Sequence, residues 1–150
     1  YGWCLHNGIG VEENKEKGVE WYEKSAKQGY AWGQYNYGWC LLYGVGIEKN
    51  EKEAVEWYKK AAEQNCVQAQ ADYGWCLHNG IGVEENKEKG VEWYEKSAKQ
   101  GYAWGQYNYG WCLLYGVGIE QDEKKAIKWF EEASKQGNED AKNMLQNKRI

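Results

Sequence analysis

The segment from Tyr1 to Glu48 recurs letter for letter from Tyr73 to Glu120, and inside it a looser copy of the same pattern returns at half the spacing. Tyr1, Tyr37, Tyr73, Tyr109 and Leu145 therefore mark five equivalent positions, 36 residues apart. A repeat of this length means one supersecondary unit used several times, each unit burying its apolar side on its neighbours. Letter-for-letter identity implies a very recent duplication or an engineered array, since drift would have scattered substitutions over exposed positions.

Each unit resolves into two helices by apolar period and end signals. In the second unit the first helix is expected from about Tyr30 to Tyr43 and the second from about Glu51 to Gln64. Gly44-Val45-Gly46-Ile47 makes the reversal between them. Asn50 caps the second helix, with Glu53 three residues on in a capping-box-like pattern, and Asn14, Asn86 and Asp122 hold the same place elsewhere. Gly29, Gly101 and Gly137, with Asn65 in the second unit, stand where a left-handed cap ends the second helix. Along that helix Ala54, Trp57, Tyr58, Ala61 and Ala62 form one stripe at spacings of three and four, read as buried packing. Small residues at Gly18, Ala54, Gly90 and Ala126 allow close helix approach, and glycine there predicts weaker second helices in units one and three. The units run over about 1–29, 30–65, 66–101 and 102–137, followed by a polar capping helix over 138–150.

The string Gln34, Tyr37-Gly38, Gly44-Val45-Gly46-Ile47, Asn50, Ala54, Trp57-Tyr58, Lys60-Ala61-Ala62, Gln64 resembles the SLR (Sel-one-like repeat) pattern, a relative of the tetratricopeptide repeat. It recurs in four units. The sequence departs from that pattern at Tyr1, Tyr37, Tyr73 and Tyr109, where leucine is usual, and at Gly33 and Gly105, where Ala69 and Ala141 keep the usual alanine. The resemblance implies an all-α chain, a right-handed α-solenoid of helix-turn-helix repeats whose first helices line a concave surface, and a role in assembling protein complexes. It licenses the class and not the partner.

With 100° per residue, the packing face around Tyr37 takes in Gly33, Cys40 and Leu41, and the opposite face collects Trp32, Tyr35, Trp39, Leu42 and Tyr43. The fourth unit repeats that set as Trp104, Tyr107, Trp111, Leu114 and Tyr115; the third has Gln68, Ala71, Trp75, His78 and Asn79; the first keeps Trp3, His6 and Asn7. Aromatic residues on a face turned from the core imply that something covers it. Large rigid rings with one polar atom suit a peptide, either an extended or polyproline segment or a basic one held by cation–π contacts. Two alternatives stand beside peptide binding. The rings could hold a sugar with Asn7, His6, Gln68, His78 and Asn79 around it, or pack on one another within a superhelix or across a homo-oligomer.

Other classes fit poorly. A net charge of −4 lacks the basic stripe that neutralises phosphates, and no apolar run approaches the roughly 20 residues of a membrane span. Two histidines, three serines and three aspartates fall at no spacing that makes a nucleophile and base, so no catalytic residue is expected. His6 and His78 lie two repeats apart, about 20 Å for helices stacked at about 10 Å, and cannot share a metal. No metal or cofactor is expected. Gly8-x-Gly10 and Gly44-x-Gly46 follow helices and lack the third glycine of a phosphate loop. Cys4, Cys40, Cys76 and Cys112 recur once per repeat, too far apart to cross-link, and read as reduced buried thiols. Some SLR proteins staple the two helices of a unit by disulfides, but that needs a second cysteine per unit and only Cys66 is extra here, so a reducing compartment is favoured. Tyr1 stands partway along a first helix, which predicts further residues ahead of it or end-to-end association through the first unit.

Overall fold

A computed structural model describes residues 14–148 as eight helices, with no strand among the described residues. They are α1 (Lys15–Lys27), α2 (Ala31–Tyr43), α3 (Glu51–Glu63), α4 (Val67–Asn79), α5 (Lys87–Lys99), α6 (Ala103–Tyr115), α7 (Glu123–Lys135) and α8 (Glu139–Lys148). First and second helices of the repeat alternate, as the sequence leads one to expect.

The ends follow local chemistry. Asn14, Asn50, Asn86 and Asp122 each accept a hydrogen bond from the backbone N–H three residues on, at 3.0–3.1 Å. Second helices stop at a residue of positive φ: Gly29 at 92°, Gly101 at 90°, Gly137 at 91° and Asn65 at 67°. The capping box at Asn50 does not close. The Asn50 backbone N–H donates instead to the Leu41 carbonyl at 2.8 Å, so the Glu53 carboxylate takes the Asn50 amide and the Trp57 indole N–H, both at 3.4 Å. The same tie from the cap residue to the preceding helix recurs from Asn86 to Leu77 and from Asp122 to Leu113.

The chain divides into two compact units, residues 1–69 with 81–83 and residues 70–80 with 84–150. In the first, α2 packs between α1 and α3 and buries Tyr37, Cys40 and Leu41 against Val19, Tyr22, Ala26, Ala54, Val55 and Tyr58. Gly46, the second glycine of the reversal, has φ 71° and lies so close to α1 that a Cβ would sit 2.7 Å from the Lys15 carbonyl. Only glycine meets both demands. In the second unit the core comprises Val91, Tyr94, Ala98, Tyr109, Cys112, Leu113, Leu114, Phe130 and neighbouring alanines, with Met144 and Leu145 of α8 packed against it.

Three glutamine pairs bind a first helix to the end of the second helix that follows it. Gln34, Gln70 and Gln106 are buried; they accept from Gln64, Gln100 and Gln136 at 2.8, 2.7 and 3.0 Å. Gln34 and Gln106 also donate to the carbonyls of Ala26 and Ala98, near the ends of the second helices before them. Gln34 and Gln106 thus each tie a first helix to the second helices before and after it.

Candidate functional site

In the first unit the outward face of α2 carries Trp32, Trp39 and Tyr43, 53, 36 and 56 % exposed, while Gly33, Tyr37, Cys40 and Leu41 point inward. The Trp39 and Tyr43 rings lie 5.2 Å apart, and Trp32 meets Tyr22 edge-on at 5.4 Å. Tyr35 is half-buried because its ring stacks on Tyr58 of α3 at 5.6 Å. Leu42 and Leu114, assigned to the groove face from helical angle alone, are instead buried. A helix held between two others buries an arc wider than one stripe, and the leucines fall at its edge.

In the second unit the corresponding residues surround an open cavity of about 210 Å³. Trp75, His78 and Asn79 of α4 form one wall, Tyr107, Asn108 and Trp111 of α6 the other, and Tyr94 and Cys112 also line it. The Trp111 ring meets His78 edge-on at 6.1 Å and lies 5.0 Å from that of Tyr115, which is 55 % exposed. Trp104 is half-buried against Tyr94, edge-on at 6.4 Å. Tyr107 leans on Phe130 at 5.9 Å, and burial, helped by Asp140 and Tyr115, raises the pKa of its hydroxyl. Trp75, Tyr107 and Trp111 are packed partly against the core, so each serves as wall and filler at once. Trp3 and His6, the remaining site residues read from the sequence, lie with Asn7 outside the described residues.

The polar atoms of this cavity are few and oriented. Asn79 and Asn108 each donate Nδ2–H to a backbone carbonyl one turn earlier, Trp75 at 2.9 Å and Trp104 at 2.7 Å, which leaves their amide oxygens as acceptors. His78 Nδ1 is buried and has no hydrogen-bond partner among the described residues. Burial lowers the His78 pKa, the nearby Lys87 ammonium adds to the effect and Glu85 opposes it. Lys87 itself pairs with Glu85 at 2.8 Å and donates to the His78 carbonyl at 3.4 Å. These effects favour the neutral imidazole, which lies beside the rings of Tyr94 and Trp111.

No set of His, Cys, Asp or Glu among the described residues could hold a metal ion. Cys40, Cys76 and Cys112 are buried, and burial pushes the thiols of Cys40 and Cys112 up to about 12. Among the described residues no helix is long and apolar enough to cross a membrane.

The stripe of second helices needed one correction. Ala54, Tyr58, Ala61 and Ala62 are buried, but Trp57, Trp93 and Trp129 are only half-buried and Trp21 is 46 % exposed. One edge of each of the three half-buried indoles meets a first-helix tyrosine, Tyr37, Tyr73 or Tyr109, at 5.4–5.7 Å. Lysines lie over the rings of Trp21, Trp57 and Trp93 at 5.2, 4.4 and 4.2 Å. A lysine three residues after each of those tryptophans was the signal in the sequence, because residues three apart share a helix face.

Comparison with known proteins agrees with this architecture. The Sel1 repeat family model matches four times, over residues 1–30, 33–66, 67–102 and 105–138. Among solved structures, a protective antigen of uropathogenic Escherichia coli displaying an SLR fold is 35 % identical, with a TM-score of 0.87 over 93 % of this chain and 30 % of its own. A Sel1 repeat protein from Oxalobacter formigenes is also 35 % identical, with a TM-score of 0.86 over 97 % of this chain and 60 % of its own. Helicobacter pylori cysteine rich protein B follows at 26 % identity and a TM-score of 0.68, covering 91 % of this chain and 98 % of that one. The chain thus spans less than two thirds of the first two relatives. Comparison with curated protein sequences gives no match. Sel1 repeats generally mediate protein–protein interaction on a fold that is a non-catalytic scaffold. With four consecutive repeats matched along nearly its whole length, the chain belongs to the Sel1 repeat family.

Proposed function

We propose that this chain is an interaction scaffold that holds a peptide segment of a protein partner on the outward face of its first helices. The observation that carries the reading is the open cavity between α4 and α6, walled by Trp75, Tyr107 and Trp111 and furnished with the amide oxygens of Asn79 and Asn108. Rings supply area at low entropic expense, and acceptors between them suit a backbone N–H or a basic side chain. The exposed Trp32, Trp39 and Tyr43 of α2 offer a second stretch of the same chemistry in the other unit. The family's general role in protein–protein interaction supports a peptide over a small metabolite.

The test is intrinsic tryptophan fluorescence titrated with proline-rich and with basic peptides, for wild type and for Trp39→Ala and Tyr115→Ser, both at exposed positions. A saturable change that weakens about tenfold or more in either variant supports the reading, since buried aromatic anchors dominate such contacts. Saturation by oligosaccharides but by no peptide would replace it with carbohydrate binding. A concentration-dependent change without any ligand, lost in the same variants, would replace it with self-association through this face.

A further inference from the structure

The tryptophans of the second helices stand in charged surroundings that change sign along the chain. In α3, Glu53 accepts from the Trp57 indole N–H at 3.4 Å, Lys60 covers the ring at 4.4 Å, and Glu56 is exposed beside it. These residues fall four before, three after and one before the tryptophan, on one side of the helix. Helices α1 and α5 keep that sense next to the ring, with Glu20 and Lys24 around Trp21 and Glu92 and Lys96 around Trp93, but carry Lys17 and Lys89 where α3 has Glu53, so α3 alone presents all three charges. Helix α7 reverses it: Lys125, Lys128 and Glu132 flank Trp129 where α3 has Glu53, Glu56 and Lys60. Glu132 pairs with Lys135 at 2.9 Å. Trp129 borders an open cavity of about 580 Å³, lined also by Asp122, Lys124, Lys125, Lys128 and Glu132.

From this inversion we propose that the Trp129 face of α7 docks on the Trp57 face of α3 in a second copy of the chain. With the two helices parallel and in register, Lys125, Lys128 and Glu132 meet Glu53, Glu56 and Lys60. Parallel pairing of two α3 faces would set glutamate on glutamate, and of two α7 faces lysine on lysine, so among parallel pairings charge selects the mixed one. Side chains on the α3 face are already held by Asn50, Trp57 and Lys60, which lowers the ordering needed on contact. Because the two faces differ, the contact is heterologous, and successive copies form an open chain or close into a ring. Exposed ion pairs contribute little each, so the association is weak and sensitive to salt.

Light scattering or sedimentation equilibrium of the whole chain across protein concentrations tests this. At low ionic strength the average mass climbs above the monomer with concentration, and it returns to the monomer at about 1 M salt, where the screening length is about 3 Å. Lys128→Glu/Glu132→Lys reverses one face and Glu56→Lys/Lys60→Glu the other, all at exposed positions. Each variant alone stays monomeric, and an equimolar mixture of the two regains the wild-type mass, because every reversed face then finds its complement. A wild type that is monomeric throughout overturns the proposal, as does a mixture that stays monomeric. A variant that self-associates alone also overturns it, which is what antiparallel pairing of the intact α3 faces would give with Lys128→Glu/Glu132→Lys.

Discussion

Replacing Gly105 by alanine asks whether two positions eight residues apart share one volume. An added Cβ would lie 2.5 Å from Ser97 Oγ, 2.8 Å from Ser97 Cβ and 3.2 Å from the Ala98 nitrogen, and Ser97 is 0 % exposed. Gly33 faces the same collision with Ser25 in the other unit. Where the first helix carries alanine at this place, Ala69 and Ala141, the preceding helix carries alanine as well, Ala61 and Ala133, and all four are buried. Serine with glycine and alanine with alanine contain the same number of side-chain heavy atoms, so the chain fills this contact in two ways. Overpacking costs about 1–3 kcal/mol, and the better helix propensity of alanine offsets about 0.5–1 kcal/mol of it. Gly105→Ala is therefore expected to lose roughly 1 kcal/mol of stability, or about 2–4 °C in Tm. Ser97→Ala alone opens a void and removes a buried hydroxyl, worth about 1 kcal/mol. In the double variant void and methyl cancel, so it should be at least as stable as either single change, with a coupling of about 1–2 kcal/mol. Urea unfolding followed by circular dichroism measures all four corners of the cycle. A double variant that loses the sum of both single losses would refute the shared-volume argument.

Two further outcomes are expected. The lowered His78 pKa means that the unfolded chain takes up its proton first, so His78 subtracts nothing above about pH 6.5 and stability falls as pH drops below that value. His78→Leu, matching Leu42 and Leu114 at the equivalent positions, should flatten that part of the stability curve; an unchanged slope between about pH 6.5 and 5 would show that His78 carries none of it. Among the four described cysteines, Cys66 is half-buried and the other three are buried, so brief alkylation of the native chain at pH 8 should label Cys66 before Cys40, Cys76 or Cys112. Peptide mass mapping reads this directly, and equal labelling of Cys40 or Cys112 would contradict a thiol pushed up to about 12 by burial.

Features that depend on a few consecutive residues are legible before any fold is known. Asn50 stops the chain from being helical before Glu51, and Asn65 or a glycine turns it after the second helix, because caps and positive φ are decided within one turn. The repeat period then places Tyr37, Cys40 and Leu41 inward, with their equivalents Tyr73, Cys76 and Leu77 and Tyr109, Cys112 and Leu113, and leaves Trp39 and Tyr43 outward. Quantities that depend on a second or third helix emerge only when the helices pack. Leu42 is buried because α2 packs between α1 and α3, Trp57 is half-exposed because only one edge meets Tyr37, and Glu53 turns to Trp57 because Leu41 already holds the Asn50 N–H. The glycines at 33 and 105 stand in the sequence where alanine is usual. In the fold each is filled by a serine eight residues earlier, since close packing conserves the volume of a contact and not the identity of either partner.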